Sequence, residues 1–207
     1  MIDVRPVVLV VDDDVGIREA VQALVGSVGM RVIAFASVQE FLATERPAGP
    51  SCLVLDVRMP GKSGLDLLDE LNLRNISLPT ILITGHGDVP MSVRAMKAGA
   101  VEFLSKPFRT QELLDAIQAA VEQDSVSRPR ELADEARRKK FNGLTARERQ
   151  VLVLVAQGLL NKQIAAELDL REITVKVHRG QAMRKMNARS LADLVLMADR
   201  LGLLAAT

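Results

Sequence analysis

The 207-residue chain lacks several features that define whole classes of protein. It has one cysteine, Cys52, so an internal disulfide is excluded. No apolar run approaches the roughly 18 residues that a membrane-spanning helix needs. The N-terminal stretch Met1–Pro6 has neither the basic flank nor the apolar segment of a secretory signal. Internal repeats and low-complexity segments are also missing. We therefore expect a cytoplasmic globular protein without membrane association, in which Cys52, placed in an apolar run, is a buried and inert thiol.

Charge is distributed unevenly along a composition that otherwise suits a globular core, with 48% hydrophobic and 26% charged residues. Residues 1–124 contain 11 basic and 17 acidic residues and carry a net charge of −6, whereas residues 125–207 contain 16 and 9 and carry +7. This division suggests two domains with different partners, of which the basic one faces a polyanion. Ordinary variation in solubility is the alternative interpretation.

Strand-like and helix-like patterns alternate through the first 124 residues. Five apolar runs rich in β-branched residues are Val7–Val11, Arg31–Ala36, Cys52–Leu55, Thr80–Ile83 and Val101–Leu104. Segments with apolar residues at helical spacing lie between them. Five strand–helix repeats predict an α/β fold with a parallel sheet that helices cover on both faces.

The pattern changes near residue 125. Ser125–Arg130 contains turn and breaker residues and no apolar period, which predicts a linker. The charged stretch Glu131–Lys140 follows as a candidate helix, and its basic residues are expected to form a solvated face. We therefore divide the chain into residues 1–124, a linker over 125–143 that is either a rigid helix or a loose tether, and a second domain over 144–207.

The second domain has only helical patterns. Thr145 and Glu148 form a capping box at the start of its first helix, and Asn161 is a candidate cap for a short second helix. A turn at Asp169–Arg171 then leads to a longer helix over about Ile173–Met186. Because a short helix, a tight turn and a longer helix follow one another, the sequence predicts a helix-turn-helix.

Polar residues end four of the five predicted strands. Asp12-Asp13-Asp14 follows the first, Asp56 ends the third, Thr84 ends the fourth and Lys106-Pro107 follows the fifth. In a parallel sheet the carboxyl ends of neighbouring strands meet in one crevice. Carboxylates, a hydroxyl and an ammonium gathered there suit a hard cation and a phosphoryl group.

The same crevice suits phosphoryl transfer to a carboxylate. A carboxylate can attack a phosphoryl group and form an acyl phosphate, but both reactants are anionic. A divalent cation such as Mg²⁺ removes that obstacle, and Asp12 or Asp13 together with Asp56 can supply its ligands. Lys106 can neutralise phosphoryl oxygens, and Thr84 can donate a hydrogen bond to one of them.

The Ile173–Met186 helix divides into two faces when it is projected at 100° per residue. Its predicted buried stripe consists of Val175, Ala182, Met186 and, at the edge, Met183. The opposite half presents Lys176, Val177, Gly180, Gln181 and Arg184. Such a face suits a DNA major groove, where basic and amide side chains read base edges and valine contacts a thymine methyl. Lys162, Arg179 and Lys185 are better placed for phosphates.

The first 124 residues closely resemble the receiver domain of two-component response regulators. The matching motifs are Val10-Val11-Asp12-Asp13-Asp14, Leu55-Asp56-Val57-Arg58-Met59-Pro60-Gly61, Thr84-Gly85-His86-Gly87-Asp88 and Lys106-Pro107-Phe108. The resemblance implies a CheY-like, doubly wound (βα)5 fold. It also implies that Asp56 receives a phosphoryl group from a sensor histidine kinase, and that Lys106 and Thr84 contact that group.

Further roles follow from the receiver resemblance alone. Asp12, Asp13, Asp56 and the backbone carbonyl of Arg58 would hold Mg²⁺, or Mn²⁺ in its place. Phe103 corresponds to the switch aromatic, and because it has no phenol hydroxyl, any reorientation would depend on packing. Lys106-Pro107 is expected to be a cis peptide. His86, beside the site, is expected to be a solvated loop residue.

Residues 144–200 resemble the LuxR-type DNA-binding domain. The matching stretches are Leu144–Glu148, Val155–Gly158, Asn161–Ala165, Thr174–Arg179, Lys185-Met186 and Ala188–Ser190. The whole chain is thus similar to the FixJ/NarL subfamily of response regulators. The resemblance implies transcription regulation through promoter DNA, with a phosphorylation-dependent homodimer and RNA polymerase as a partner. The expected DNA-contacting residues are Lys162, Thr174, Lys176, Val177, Arg179, Gly180, Arg184 and Lys185.

Two residues depart from the LuxR-type pattern. Arg171 stands where a serine is common, so the recognition helix lacks a side-chain cap, at a cost on the order of 1 kcal/mol, unless Asp169 or Glu172 substitutes. Gly180 lies inside that helix, where glycine costs roughly 1 kcal/mol relative to alanine. A close approach of the backbone to DNA would explain it.

Two rival functions stay open from sequence alone. One is a constitutive DNA-binding regulator whose receiver does not switch. The other is an enzyme, a phosphatase of the haloacid-dehalogenase type, because Asp12-Asp13-Asp14 contains an Asp-x-Asp pattern with the first aspartate as nucleophile. The intact set of Asp12, Asp13, Asp56, Thr84 and Lys106 argues against the non-switching receiver. The order of Asp56, Thr84 and Lys106, together with the DNA-binding half, argues against the phosphatase, so we expect a regulator and not an enzyme.

Overall fold

The computed structural model describes residues 5–85 and 87–204. They form two compact units that divide after Arg128, close to the predicted end of the first domain at residue 124. The elements of the first unit, in chain order, are β1 Val7–Val11, α1 Val15–Ser27, β2 Arg31–Phe35, α2 Val38–Leu42, β3 Ser51–Asp56, α3 Gly64–Leu73, β4 Thr80–Thr84, α4 Val89–Lys97, β5 Glu102–Ser105 and the first part of α5 Thr110–Asn142.

All five strands are parallel and lie in the order β2-β1-β3-β4-β5. The order reverses direction beside β1, which is the doubly wound arrangement, and the predicted (βα)5 fold is confirmed. In such a sheet the crevice at the carboxyl ends of β1 and β3 is the expected ligand site. The sheet therefore brings the ends of the two strands that carry Asp12 and Asp56 side by side.

The strands are apolar throughout because both faces of the sheet are covered. In β1, Val7, Leu9 and Val11 pack into a core with α2, α3 and α4, whereas Val8 and Val10 pack into a second core with α1 and α5. Full burial of each such side chain contributes about 1.5–3 kcal/mol. This two-sided burial explains why the strands read as continuous apolar runs and not as alternating ones.

Helix α5 continues through Ser125–Arg130, the start of the predicted linker, which is therefore helical with Pro129 inside the helix. A proline in a helix interior lacks the backbone N–H donor, which costs the helix about 3 kcal/mol. The residues that follow Pro129 favour a helix. Ion pairs join Arg137 to Asp134 and Lys139 to Glu135, three and four residues apart. Among the described residues, no helix is both long and apolar enough to cross a bilayer.

The second unit is all helical. Besides the end of α5 it contains α6 Ala146–Ala156, α7 Asn161–Leu168, α8 Glu172–Met186 and α9 Leu191–Arg200. The capping box is confirmed, since the N–H of Glu148 donates to Thr145 Oγ1 at 3.3 Å and the N–H of Thr145 donates to Glu148 Oε2 at 2.7 Å. The absence of a side-chain cap at Arg171 is also confirmed.

The predicted cap at Asn161 is wrong. Leu160 is the residue that precedes α7, and its N–H donates to the side-chain oxygen of Gln163 at 2.8 Å. The Asn161 side-chain oxygen instead accepts a hydrogen bond from Arg179 Nη1 at 3.3 Å. A distant arginine therefore uses the oxygen that a local cap would have used.

One buried ion pair fastens α5 to the base of the sheet. Asp124 is fully buried, and its carboxylate pairs with Arg46 and accepts a hydrogen bond from the N–H of Ser51 at 2.8 Å. Arg46 also donates to Ser51 Oγ at 3.1 Å. The pair thus joins α5 to the amino end of β3, the central strand.

Removal of the Asp124 carboxylate should destabilise the first unit. Asp124→Ala leaves the Arg46 guanidinium without its buried counter-charge, and breaking such a pair costs about 3–5 kcal/mol. Cys52 offers a specific probe, because it is buried in this unit and burial raises the pKa of its thiol to about 12. We expect Asp124→Ala to lower the urea concentration at which Cys52 becomes reactive, whereas Glu122→Ala, at an exposed site of α5, shifts it little. Equal shifts in the two variants would contradict this role.

Candidate functional site

Three carboxylates meet at the carboxyl ends of β1 and β3. One oxygen from each of Asp12, Asp13 and Asp56 lies within 4.8 Å of the others. Asp12 and Asp56 are buried, and Asp13 is exposed. The cluster therefore has two fixed members on the protein side and one member on the solvent side. Carboxylate oxygens are the ligands that Mg²⁺ prefers, so the donor set fits a hard divalent cation.

Lys106 bridges the two buried carboxylates. Its Nζ lies 2.7 Å from Asp12 Oδ2 and 2.9 Å from Asp56 Oδ1. The lysine follows β5, at the edge of the sheet, and its backbone N–H donates to the carbonyl of Thr84 at 2.7 Å. Lys106-Pro107 is a cis peptide, as the sequence predicts. Residues from three strand ends therefore form one charged network.

The network contains more negative than positive charge. Burial raises the pKa of Asp56, and the charge of Asp12 adds to that effect, while the hydrogen bond and charge of Lys106 oppose it. For Lys106, burial alone lowers the pKa, but the hydrogen bonds and charges of the two aspartates outweigh burial and raise it. Asp56 therefore holds its proton more tightly mainly because it is buried, and Lys106 does so because two carboxylates face its one ammonium. A further cation would relieve this imbalance.

The other predicted receiver residues lie around the same edge. The N–H of Arg58 donates to Asp56 Oδ2 at 2.9 Å, so the backbone of Arg58 adjoins the Asp56 carboxylate. Thr84 is buried at the end of β4 and pairs in register with Ser105. Phe103 is half-buried and packs against the core formed with α2, α3 and α4. His86 lies outside the described residues.

Helix α8 carries the predicted DNA-binding residues. Val175, Ala182 and Met186 are buried, which confirms the predicted inner stripe. On the outer face Lys176, Val177, Gly180 and Arg184 are exposed, as is Lys162 on α7, whereas Thr174 and Arg179 are half-buried. A Cβ built on Gly180 meets no atom within 4 Å, so packing inside the protein does not require this glycine.

Lys185 is engaged within the protein. Its Nζ lies 2.7 Å from Glu148 Oε2, which also accepts the hydrogen bond from the N–H of Thr145. The hydrogen bonds from Lys185 and from Thr145 lower the pKa of the Glu148 carboxyl. The Lys185 side chain is 44% exposed. Its predicted contact with a DNA phosphate stays a prediction, and any such contact would share the charge with Glu148.

Comparison with known proteins identifies the family. Residues 8–118 match the family described as the response regulator receiver domain, and residues 142–198 match the bacterial regulatory proteins of the LuxR family. The chain belongs to the response regulators with a LuxR-type DNA-binding domain. It is a transcriptional regulator of two-component systems, whose receiver implies a histidine kinase partner and whose second domain implies DNA binding.

Individual relatives are similar over nearly the whole response regulator. Nodulation protein W of Bradyrhizobium diazoefficiens is 55% identical over 199 residues, which cover 96% of this chain and 88% of that protein. Transcriptional regulatory protein FixJ of Rhizobium meliloti is 44% identical over 191 residues, with 91% and 93% covered. The structure of response regulator StyR shares 48% identity at a TM-score of 0.71, with 95% of this chain and 99% of that chain covered.

Sequence reasoning missed Arg18, which holds the acidic loop of this response regulator in place. Arg18 Nη1 donates to the backbone carbonyls of Asp12 at 2.7 Å and Asp13 at 2.9 Å. Asp14 adds two bonds, since its carboxylate accepts from Gly16 N–H at 2.8 Å and its N–H donates to Asp12 Oδ1 at 2.9 Å. The sequence did contain a signal for this role of Arg18. A cation in the first turn of a helix is electrostatically unfavourable and needs a partner.

Gly64 was also missed. A Cβ at this position would lie 2.3 Å from the backbone carbonyl oxygen of Asp56. The first turn of α3 therefore packs directly on the end of β3, which carries Asp56. Any side chain at Gly64 would displace either the first turn of α3 or the end of β3.

Arg18→Met should weaken divalent-cation binding. Loss of a positive charge by itself strengthens the attraction of a cation to the acidic cluster, so weaker binding would report the loss of loop positioning. Loss of a residue that orients metal ligands without binding the metal typically weakens metal affinity ten- to a hundredfold. We therefore expect roughly tenfold weaker Mn²⁺ binding, measured by electron paramagnetic resonance of the free ion. Unchanged or tighter binding would contradict the positioning role. Arg18→Lys, which keeps the charge, serves as the control.

Proposed function

We propose that Asp56 accepts a phosphoryl group from a sensor histidine kinase, and that this acyl phosphate controls dimerisation and promoter binding. The observation that carries the proposal is the position of Lys106 Nζ between Asp12 and Asp56. A half-buried ammonium beside the acceptor carboxylate gives the oxygens of an incoming phosphoryl group a charge to contact. The neighbouring acidic cluster supports a cation at the same place.

In the proposed transfer, an Asp56 carboxylate oxygen forms a bond to phosphorus while the bond between phosphorus and the kinase histidine nitrogen breaks. Lys106 is held for this event by its two ion pairs, and it can follow the new charge as it moves from the carboxylate to the phosphoryl group. Thr84 can donate its hydroxyl to a phosphoryl oxygen. Both Asp56 oxygens already accept hydrogen bonds, which fix the orientation of the carboxylate.

Asp12, Asp13, Asp56 and the backbone carbonyl of Arg58 would hold Mg²⁺ or Mn²⁺. When it is bound, the cation offsets the repulsion between the anionic carboxylate and the anionic phosphoryl group. The chain contributes the buried pair Asp12 and Asp56, and the exposed Asp13 leaves one side of the cluster open to solvent. Such an open side suits a cation that keeps some of its water ligands.

The proposed output begins with the movement of Lys106 and Thr84 toward the phosphoryl group. Phe103 lies three residues before Lys106 on β5 and repacks, which changes the surface of α4 and β5. When Asp56 is phosphorylated, two chains pair through that surface and form a homodimer. In the unphosphorylated receiver the surface does not support this pairing. This is a local change of charge that biases a two-state element. The dimer places two recognition helices on half-sites about one DNA turn apart.

In the proposed complex α8 enters the major groove of double-stranded promoter DNA. Lys176, Val177 and Arg184 face the bases, and Gly180 lets the helix backbone approach them. Lys162, Arg179 and Lys185 are assigned to DNA phosphates. Thr174, in the first turn of α8, is assigned a further DNA contact. RNA polymerase is the proposed partner at the promoter.

The comparisons do not favour a regulator that lacks a switching receiver, and both family matches are to regulatory domains. We therefore propose that the protein is not an enzyme in the usual sense and that its only chemistry is its own phosphorylation and dephosphorylation.

Asp56→Asn should abolish phosphoryl uptake. An amide is too weak a nucleophile to attack phosphorus, and the substitution keeps the size and most hydrogen bonds of the side chain. We expect no acid-stable or acid-labile label after incubation with Mg²⁺ and radiolabelled acetyl phosphate, against stoichiometric labelling of the wild type.

The matched control is Asp115→Asn, which changes an exposed aspartate on α5 and should leave labelling unchanged. Persistent labelling of Asp56→Asn would show that the phosphoacceptor lies elsewhere. A label that is lost from Asp12→Asn and retained in Asp56→Asn would instead support the phosphatase alternative.

A further inference from the structure

One continuous exposed stripe runs along α8. Ile173, Lys176, Val177, Gly180 and Arg184 are all exposed, and each has another member of the set three or four residues away. At 100° per residue these five positions fall within about 100° of the helix circumference. The sequence analysis assigned four of them to the DNA-facing side. The structure adds Ile173, at the amino end of the same stripe.

The exposure of Ile173 has no explanation within the protein. Its relative exposure is 64%, and that of Val177, one helical turn later, is 50%. Neither side chain belongs to the core that the described residues of this unit form. A single exposed isoleucine is ordinary on a protein surface. Two β-branched apolar side chains on one face, beside Lys176 and Arg184, form a pattern that suits a surface with both methyl groups and phosphates.

Thymine supplies such methyl groups. In the major groove it is the base that presents a methyl group, at C5, and apolar side chains recognise it there. Ile173 and Val177 are four residues apart, which places them about 6 Å apart along the helix axis. Stacked bases repeat every 3.4 Å or so, and the two side chains therefore match methyl groups roughly two base pairs apart.

We infer that Ile173 is a specificity-determining residue that contacts a thymine methyl in the major groove, roughly two base pairs from the thymine contacted by Val177. The inference rests on the proposed function, because it requires that α8 binds promoter DNA. It goes beyond the proposed function because it names the base, thymine, at one more position of each half-site. The open space around Gly180, two turns along the stripe, allows the helix to lie deep enough for short side chains to reach the bases.

Replacement of thymine by deoxyuridine tests this contact, because it removes the methyl group and leaves base pairing intact. Binding sites are first selected from random double-stranded DNA with the full-length chain in the presence of Mg²⁺ and beryllofluoride. Each thymine of the selected site is then replaced in turn, and affinities are measured. For the wild type we expect two positions per half-site at which the replacement weakens binding roughly fourfold, the change that accompanies loss of one buried methyl-sized group.

The matched variants are Ile173→Ala and Ile173→Val. In Ile173→Ala the methyl effect should vanish at one of the two positions and persist at the other. Ile173→Val, which keeps the branched end at Cβ, should retain most of both effects. Because Ile173 is exposed, neither change should alter folding, and circular dichroism melting curves check this. The comparison is a double-mutant cycle between one side chain and one methyl group.

Identical methyl effects in the wild type and in Ile173→Ala would overturn the inference while leaving DNA binding by α8 intact. Equal weakening of Ile173→Ala on all sequences would also overturn it, because it would indicate a contact with the sugar–phosphate backbone. Failure of the wild type to enrich any sequence from the random pool would contradict the proposed function itself.

Discussion

The ion pairs of Lys106 with Asp12 and Asp56 are the interaction on which the rest of the account depends. They join the ends of β1, β3 and β5 across 94 and 50 residues of sequence separation. They also leave one carboxylate in excess, and the two carboxylates raise the pKa of Lys106, whereas burial raises the pKa of Asp56 against the opposing effect of Lys106. A site with this imbalance is sensitive to added charge, whether a cation or a phosphoryl group, because each redistributes the bonds of a single ammonium. Arg18 and Gly64 matter because they hold the two aspartates in reach of that ammonium.

The fold offers a short physical route from this site to a surface. Lys106 directly follows β5, and β5 pairs with β4 through Leu82 and Phe103 and through Thr84 and Ser105. A Cβ on Gly87 would meet Phe103, Ser105 and Thr84 at 2.9–3.1 Å, so this loop has little room for rearrangement. Small shifts of Lys106 or Thr84 are therefore expected to change the packing of Phe103 in discrete steps. At the opposite end of the sheet, the buried pair of Asp124 and Arg46 keeps α5 fixed to β3.

Much of the fold and of the candidate site could be predicted because the relevant signals are local. Strands buried on both faces appear as apolar runs, and polar residues at strand ends meet by the geometry of a parallel sheet. The buried stripe of α8 followed from its period. What failed or was missed depends on distant partners: Arg179 takes the oxygen of Asn161, Lys185 pairs with Glu148 over 37 residues, and Arg18 acts through backbone carbonyls. The helical course of 125–130 was hidden by its one proline.

The central claim is that charge added at Asp56 changes the association state of the protein. Multi-angle light scattering of the full chain with Mg²⁺, with and without beryllofluoride, tests it most directly when the same samples are run for Asp56→Asn. The account predicts a shift from monomer to dimer in the wild type and none in the variant. A wild type that keeps the same mass with and without beryllofluoride, or a variant that shifts equally, would contradict it.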